Sequence, residues 1–462
     1  MADHPNFSTI KERLHPKAWY DRVVVWAGAI VTGLSVVGFV WLTDHGTAWF
    51  FSMRDKWFWF PLVATPLGGI VVVFLTRRYA SLAAGSGIPQ VMAALDKSLT
   101  TKQSRSFVHL RIAFFKAILG STAIAVGFSS GREGPSVQIA SAVLLSFRKL
   151  IRRGIIIHER DLILAGGAAG IAAAFNAPLA GVVFAIEELG KSFEERSRGM
   201  LVSAIVIAGL VAVWIMGNLT YFGRLQIETL DYDFIWPAVL VSLAAGVFGG
   251  LFSRLLVSSF SRSHWPIVQW REKHPVWFAG MCGLIVAVLG TITNGEAFGS
   301  GYVWSKELLS NQGDVSASYF LVKSISTWLS FWSGIPGGLF APSLAIGAGI
   351  GHDVALLTNS ANVTPIIALG MAGFLAAVTQ APITSFIIVM EMTDGHVMVL
   401  SLMATALFAS VISRLLSAPL YPSLALLQLK NLKPVQTEEA APAVVETPAP
   451  EPVEQPPQQA QP

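Results

Sequence analysis

Long apolar blocks without a charged residue alternate with more polar segments along most of the chain. Five of these blocks cover residues 23–43, 57–76, 199–223, 234–253 and 275–295. Each reaches the roughly 20 residues that an α-helix needs to cross the hydrocarbon core of a bilayer. Lipid offers the backbone no hydrogen-bond partner, so only helices and closed barrels span it, and a barrel needs short alternating segments. The pattern therefore predicts an all-α, polytopic membrane protein.

The charged residues lie mostly between the apolar blocks, and their sign predicts an orientation. Segments 77–116, 148–160 and 254–273 carry an excess of Lys and Arg, which is typical of cytoplasmic loops. Segments 224–233 and 296–314 lack that excess and are predicted to be external. The same pattern predicts a multi-pass protein of the cell membrane with both termini in the cytoplasm.

Composition divides the chain into three parts. Residues 1–20 are polar and charged, and no cleavage site follows the first apolar block, so that block is predicted to be retained as a span behind a cytoplasmic N-terminal segment. Residues 21–431 form the predicted transmembrane domain. Residues 432–462 are rich in Pro, Ala, Glu and Gln and cannot bury enough apolar surface to fold, so this tail is predicted to be disordered.

The transmembrane domain contains an internal repeat, with halves at roughly 21–220 and 234–431. Three motifs recur in the same order at offsets of 204 to 214 residues. The pairs are GSGIPQ (85–90) with GSGYVW (299–304), GREGPS (131–136) with GLFAPS (338–343), and NAPLAGVVFAIEEL (176–189) with QAPITSFIIVMEMT (380–393). The first GSG lies in a predicted cytoplasmic segment and the second in an external one, so the copies are predicted to be inverted. Inverted repeats are typical of transporters whose binding site lies near mid-membrane, where the halves meet.

Three glycine-rich motifs, at residues 83–91, 129–138 and 333–343, combine glycines, a proline and an apolar run that is compatible with a helix. Glycine allows irregular backbone and close approach, and proline suits the first turn of a helix. Each motif is therefore interpreted as a broken helix that begins inside the membrane. Helix N-termini carry unpaired N–H groups and partial positive charge, so several that converge make an anion site without a basic side chain. The alternative is that these residues serve helix packing alone.

Glu133 in GREGPS stands among apolar and small residues, and a charge at membrane depth is costly and usually functional. We interpret its carboxylate as an anion mimic, which occupies the anion site when no ion does and leaves on protonation. Such a residue acts as gate and proton carrier together. The alternative is a salt bridge with the adjacent Arg132.

Composition limits the remaining chemistry. The chain is 53% hydrophobic and 13% charged, with a formal net charge of +4, and its basic residues cluster in loops, which fits membrane topology better than nucleic-acid binding. Its single cysteine, Cys282, excludes an intrachain disulfide and a multi-cysteine metal site. The nine histidines show no HxxxH or HExxH spacing. We therefore expect no metal and no cofactor.

Four signatures together resemble the CLC family of chloride channels and chloride/proton exchangers, in its prokaryotic form without regulatory nucleotide-binding domains. They are GSGIP at 85–89, GREGP at 131–135, GGLFAP at 337–342 and Tyr421 in PLY. The resemblance covers residues 20–430, essentially all but the tail. It implies an inverted-repeat α-helical fold, a homodimer with one pathway per subunit, and no nucleotide control.

The resemblance also implies roles for individual residues. The central chloride site would comprise the hydroxyls of Ser86 and Tyr421 and the backbone amides of Leu339 and Phe340, and an outer site the amides around Arg132 and Gly134. Glu133 would be the external gate and proton carrier, and Glu188 the internal proton relay. As structural alternatives, Ser86 would serve only as a helix N-cap and Tyr421 as an interfacial anchor. Ser86 stands where the family's nitrate exchangers have proline, which favours chloride.

Glu188 has a neighbour that helps to interpret it. Glu187 matches Glu391 across the repeat, which indicates a structural role that both halves share. Glu188 faces Met392 in the same alignment and so breaks the symmetry. The alternative for Glu188 is an ordinary glutamate at the membrane interface.

The predicted function is a proton-coupled chloride antiporter, which moves chloride and protons in opposite directions across the bilayer without ATP. The first alternative is a passive voltage- or pH-gated chloride channel of the same fold, although the presence of both Glu133 and Glu188 argues against it. An integral-membrane enzyme is a weaker alternative, because the sequence contains no nucleophile–base pair or metal cluster. The expected partners are chloride, protons, lipid and a second copy of the chain, with neither nucleic acid nor nucleotide.

Overall fold

The computed structural model describes most of the predicted transmembrane domain, namely residues 16–152, 157–190, 198–217, 221–223, 234–261, 265–310 and 315–432. The predictions made for residues 1–15, for the external segment 224–233 and for the tail beyond Leu432 fall outside these residues.

Nineteen α-helices make up the described part of the chain, nine in the first half and ten in the second. The helices of the first half are α1 (Pro16–Lys56), α2 (Phe60–Tyr79), α3 (Ile88–Ala94), α4 (Thr101–Phe107), α5 (Leu110–Ala125), α6 (Glu133–Ser146), α7 (Glu159–Ala174), α8 (Pro178–Phe184) and α9 (Arg198–Met216). Those of the second half are α10 (Ile235–Ser261), α11 (Pro266–Lys273), α12 (Pro275–Ile292), α13 (Tyr302–Leu309), α14 (Tyr319–Trp332), α15 (Phe340–Leu357), α16 (Val363–Thr379), α17 (Pro382–Thr393), α18 (Val399–Leu416) and α19 (Leu420–Asn431).

Eight helical stretches in the described residues are long and apolar enough to cross a membrane. Five of them coincide with the apolar blocks of the sequence and form α1, α2, α9, α10 and α12, so the polytopic prediction is confirmed. The other three cover Thr101–Ala125, Phe340–Leu357 and His396–Leu416. The sequence pattern did not reveal the first of these, because four basic residues interrupt it.

Lys116 shows that one basic residue of segment 77–116 does not lie in a solvent-exposed loop. The lysine lies on α5 and its side chain is fully buried. Its ammonium nitrogen donates hydrogen bonds to the carbonyl oxygens of Ala83 at 2.8 Å and Gly85 at 2.5 Å. The cation is therefore paired with backbone carbonyls inside the protein, which offsets the loss of water around it.

Small residues allow the central helices to approach closely. Helix α6 packs against α7, and α15 packs against α16. A Cβ atom added to Gly166 or Gly170 of α7 would meet the backbone of α6, and one added to Gly370 of α16 would meet the carbonyl oxygen of Gly347 of α15. Close approach of this kind is typical of helix interfaces in membranes. It fixes the positions of α6 and α15, whose first turns carry the motifs of interest.

The repeat is visible in matched backbone details of the two halves. Asn176 and Gln380 both have a positive φ, of 56° and 61°. Each follows a long central helix, α7 or α16, and each precedes an Ala-Pro pair that begins a shorter helix, α8 or α17. The two halves therefore repeat the same helix–turn–helix unit at the positions that the sequence alignment predicted.

Candidate functional site

The three glycine-rich motifs meet inside the protein through main-chain hydrogen bonds. The N–H of Gly85 donates to the carbonyl oxygen of Ile335 at 3.1 Å, and the N–H of Gly337 donates to that of Gly85 at 3.0 Å. Gly131 and Gly338 exchange two further bonds, of 2.8 and 2.7 Å. Two isolated β-bridges therefore join the second-half motif to both first-half motifs, and the predicted meeting of the broken helices is confirmed.

Glycine is required at two points of this junction. Gly87 has a φ of 112°, which side chains rarely tolerate, and a Cβ atom there would collide with the carbonyl oxygen of Gly134. A Cβ atom on Gly337 would collide with the hydroxyl of Ser130. Any larger residue at either position would push the motifs apart.

Glu133 is the first residue of α6, and its side chain is fully buried. Carboxylate oxygen Oε2 accepts a hydrogen bond from the backbone N–H of Ala341, in the first turn of α15, at 3.3 Å. Oxygen Oε1 has no hydrogen-bond partner among the described residues. A carboxylate thus occupies a helix N-terminus at the meeting point of the motifs, which is the geometry that an anion mimic requires.

Arg132, the N-cap residue of α6, directs its side chain elsewhere. Its guanidinium forms an ion pair with Asp44 of α1 and donates a hydrogen bond to the hydroxyl of Tyr221 at 3.1 Å. The alternative of a salt bridge between Arg132 and Glu133 is therefore not what the structure shows. Successive residues at a helix start point in different directions, so these two side chains diverge.

Ser86, Phe340 and Tyr421 lie close together, and each is at most 2% exposed. The rings of Phe340 and Tyr421 stack with their centroids 5.8 Å apart and their planes at 16°. The hydroxyls of Ser86 and Tyr421 are near enough to interact electrostatically, but neither makes a hydrogen bond of normal geometry within the described part of the chain. Buried hydroxyls without such a bond are uncommon, and both are available as donors.

Leu339 and Gly134 complete the set of candidate residues. Leu339 is the N-cap of α15, and Gly134 is the second residue of α6. The first N–H groups of a helix have no intrahelical partner, so these two helix starts add main-chain donors to the two hydroxyls. The cluster can bind an anion. The described ranges contain no cluster of three or more His, Cys, Asp or Glu residues that could hold a metal ion.

Glu188 lies in a π-helical turn, Ala185–Leu189, that continues α8. Its Oε1 atom is buried and has no hydrogen-bond partner in the residues that the structure describes. Such turns are rare and often occur at functional sites. The next two residues, Leu189 and Gly190, line a cavity of about 870 Å³ whose wall also includes the basic residues Lys97, Arg148 and Arg160. The residues that directly follow Glu188 in the chain therefore form part of the cavity wall.

Glu187, the neighbour of Glu188, is engaged differently. Its carboxylate accepts hydrogen bonds from two backbone N–H groups in the first turn of α17, at 3.0 and 2.6 Å. Glu391 of α17 accepts two from the first turn of α8, at 3.2 and 2.6 Å. Each glutamate caps a helix of the opposite half, and the structural role predicted for the matched pair is confirmed.

Sequence reasoning missed several groups around the site. Lys323 of α14 is fully buried and donates to the carbonyl oxygens of Ala297, Phe298 and Gly299 at 3.3, 3.0 and 2.8 Å, as Lys116 does at the first GSG loop. A lone lysine in an apolar run downstream of each GSG was the available signal. The N–H of Ala341 could have been found from Pro342, which marks the helix start. Nothing in the sequence pattern singles out Tyr221.

Comparison with known proteins gives the class to which this fold and site belong. The family model described as Voltage gated chloride channel matches residues 68–414. The H(+)/Cl(−) exchange transporter ClcA of Vibrio parahaemolyticus is 32% identical over 378 residues, which are 78% of either chain. The transporter of the same name from Klebsiella pneumoniae is 28% identical over 91% of both chains. This chain therefore belongs to the voltage gated chloride channel family, the CLC family.

Solved structures agree on the fold. A slow cyanobacterial Cl−/H+ antiporter superposes with a TM-score of 0.77 over 91% of this chain at 24% identity. A CLC-type fluoride/proton antiporter gives a TM-score of 0.74 over the same share at 22% identity. The fold is thus the CLC fold, all-α and polytopic with two inverted repeats, and the protein is a membrane protein related to transporters rather than to enzymes.

Proposed function

We propose that this protein is a proton-coupled chloride antiporter, a secondary active transporter that moves Cl− and H+ in opposite directions. The observation that carries the proposal is the buried carboxylate of Glu133, which is hydrogen-bonded to the first turn of α15 at the meeting point of three broken helices. The relatives that bear the name H(+)/Cl(−) exchange transporter support the choice of ions.

Chloride in this proposal binds where the main-chain and hydroxyl donors meet. Ser86 and Tyr421 donate through their hydroxyls at a central site, and the amides of Leu339 and Phe340 complete it. The amides around Arg132 and Gly134 form an outer site at the start of α6. The free hydroxyls of Ser86 and Tyr421 and the stacking of Phe340 on Tyr421 support the central site.

Glu133 couples the two ions because its carboxylate and chloride compete for the same donors. When ionised, the side chain accepts the N–H of Ala341 in α15, which is the hydrogen bond that the structure contains. A proton removes its charge and weakens that bond, since a neutral carboxylic acid is a poorer acceptor than a carboxylate. The side chain then leaves, and chloride takes its place. Each cycle therefore carries a proton on Glu133 in one direction and chloride in the other.

Glu188 supplies the proton from the opposite side. The Oε1 atom of its carboxylate is buried in the π-helical turn, and the cavity beside Leu189 and Gly190 offers a route from solvent. In this proposal the two ions share Glu133 on the outer side and follow separate routes on the inner side. This second carboxylate is the feature that distinguishes the proposed antiporter from a passive channel.

Orientation and assembly follow the family resemblance and the charge pattern. We place both termini and the 870 Å³ cavity, whose lining includes Lys97, Arg148 and Arg160 beside Glu159 and Asp161, in the cytoplasm. We also propose a homodimer with one pathway per subunit. Labelling of single cysteines introduced on either side in intact cells tests the orientation, and cross-linking in native membranes tests the dimer.

A flux assay in liposomes tests the function. An outward chloride gradient should drive protons inward against their own gradient in vesicles that contain the purified protein. Chloride efflux without proton uptake would instead identify a passive channel. The absence of both fluxes would reopen the enzyme alternative.

A further inference from the structure

We infer that Asp44, acting through Arg132, sets the pH at which Glu133 takes up its proton. Asp44 is a positioning residue in this inference, because it acts on the gate through a second side chain. The inference rests on the exchange proposed above, and it adds to that mechanism a residue outside the four sequence signatures.

The geometry pairs a buried cation, which stands one residue before the gate, with an exposed carboxylate. Asp44 lies on α1 with its side chain 58% exposed, whereas the side chain of its partner Arg132 is only 8% exposed. The guanidinium also donates to the hydroxyl of Tyr221 at 3.1 Å and lies 5.2 Å from the centre of that ring. Arg132 is thus held between α1 and an aromatic ring, one residue before Glu133.

Tyr221 is itself fixed in place, so the position of Arg132 is well defined. The hydroxyl of Tyr302 donates to the carbonyl oxygen of Tyr221 at 2.9 Å. The ring of Tyr221 contacts Phe175 at 6.3 Å between centroids, and Phe175 contacts Phe340 at 6.1 Å. A continuous line of rings therefore connects the cation to the central anion site.

The charges around Glu133 decide the direction of the effect. Among the described residues, the charged and titratable groups that act on it are Arg132 at the N-cap of its own helix, Asp44 of α1, Tyr221, and Tyr421 of α19. The ammonium of Lys116 on α5 is hydrogen-bonded to carbonyl oxygens, and α3 carries no charged residue. The charged residues of α7 lie in its first turn, beside the far end of α6.

Arg132 favours the ionised form of Glu133, and Asp44 opposes it. Without the charge of Asp44, the cation is uncompensated, so protonation of Glu133 needs a more acidic solution. With an effective dielectric constant of about 20 and partial screening by solvent, we expect the loss of the Asp44 charge to shift the titration by about 0.5–1 pH unit. Removal of the Arg132 charge has the opposite sign.

The test measures chloride efflux and coupled proton uptake from liposomes as the pH is varied equally on both sides. Asp44→Asn should move the midpoint of activity about 0.5–1 pH unit to the acid side, with an unchanged maximal rate. Asp44→Glu, which keeps the charge, should stay close to wild type. Arg132→Gln should move the midpoint to the alkaline side. Asp55→Asn makes the same charge change at an exposed site further along α1 and should leave the profile unchanged.

The outcomes separate this inference from the proposed function. A wild-type protein that moves no protons overturns the exchange itself. If the wild-type protein is coupled but Asp44→Asn and Arg132→Gln both keep its pH midpoint, the role of Asp44 is overturned. A shift of the same sign in both variants also overturns it. If Asp44→Asn fails to fold, the alkaline shift of Arg132→Gln alone decides, since an unmoved midpoint there contradicts the charge balance. A repeat in the Glu188→Gln background removes any contribution of the inner glutamate.

Discussion

The two halves of the molecule begin their central helices in the same way and use them differently. Helix α6 begins at Glu133 and α15 at Phe340, which are corresponding positions of the repeat, and the glycines two residues earlier are hydrogen-bonded to each other. In the first half the initial residue is a carboxylate that reaches the N–H of Ala341. In the second half it is a ring that stacks on Tyr421. The backbone is repeated, but the side chains that face the site are not.

The GSG loops show the same division. Each contains two glycines with positive φ and is held by a buried lysine, Lys116 or Lys323, through backbone carbonyls. In the first loop the side chain of Gln90 accepts the N–H of Gly87 at 2.9 Å, and the hydroxyl of Ser86 has no partner in the described residues. In the second loop the corresponding hydroxyl, that of Ser300, accepts an N–H of its own loop at 3.4 Å.

The ends of α8 and α17 complete the comparison. Glu187 and Glu391 cap each other's helices with nearly identical distances. The next position is Glu188 in a π-helical turn in the first half and Met392 in an ordinary α-helix in the second. Features that both halves share therefore hold the backbone, and features that occur in one half carry the proposed chemistry. Substitutions at matched positions test this division directly.

The largest effect is expected at Glu133, where the halves differ most. Glu133→Gln removes the titratable group and resembles its protonated form, so proton movement should stop while chloride still passes. Chloride flux should also lose the pH dependence that this group confers. Paired chloride and proton fluxes from the same liposomes measure both. Proton uptake against a gradient in the variant would show that another group carries the proton.

The second largest effect is expected at the neighbouring glutamates, because Glu187 has a matching glutamate in the second half and Glu188 does not. Glu188→Gln should abolish proton transport and leave chloride flux and its pH dependence largely intact. Glu187→Gln should keep proton coupling and lower the free energy of unfolding by about 1–2 kcal/mol, because it weakens a charged cap on α17. Glu391→Gln is the matched control and should lose a similar amount. Proton uptake at the wild-type ratio to chloride in Glu188→Gln would contradict the proposed inner route.

Substitution of either buried lysine should lower stability by a similar amount, but only one of the two substitutions should affect chloride binding. Lys116→Met and Lys323→Met keep the volume but leave two or three buried carbonyls without a donor, at a cost of about 2–5 kcal/mol in the free energy of unfolding. Lys116 binds the carbonyl next to Ser86, so only Lys116→Met should also weaken chloride binding. Denaturant unfolding in detergent and calorimetric chloride titration measure the two quantities. Equal chloride affinities in both variants would argue against a link from Lys116 to the site.

Much of this fold was predictable because its signals are local. Charge-free blocks marked five spans, glycines with prolines marked the broken helices, and Glu133 stood out in an apolar region. One of the three spans outside those blocks, Thr101–Ala125, contains basic residues that hydropathy counts as polar, although Lys116 is hydrogen-bonded to carbonyls of a distant loop. The ion pair of Arg132 was equally hidden, since its partner Asp44 lies 88 positions away and no local pattern connects them.

The smallest effect is expected at the two serines of the GSG loops, which are the same residue in corresponding positions. Ser86→Ala removes a free hydroxyl from the proposed central site, and one lost hydrogen bond should weaken chloride binding by about five- to tenfold. Ser300→Ala should leave chloride binding unchanged and lower the free energy of unfolding by about 0.5–1 kcal/mol, because that hydroxyl serves its own loop. Chloride titration of both purified variants makes the comparison. If Ser300→Ala weakened chloride binding as much as Ser86→Ala, the two hydroxyls would act alike, and the distinction between shared scaffold and one-sided chemistry would fail at the position where the sequence is identical.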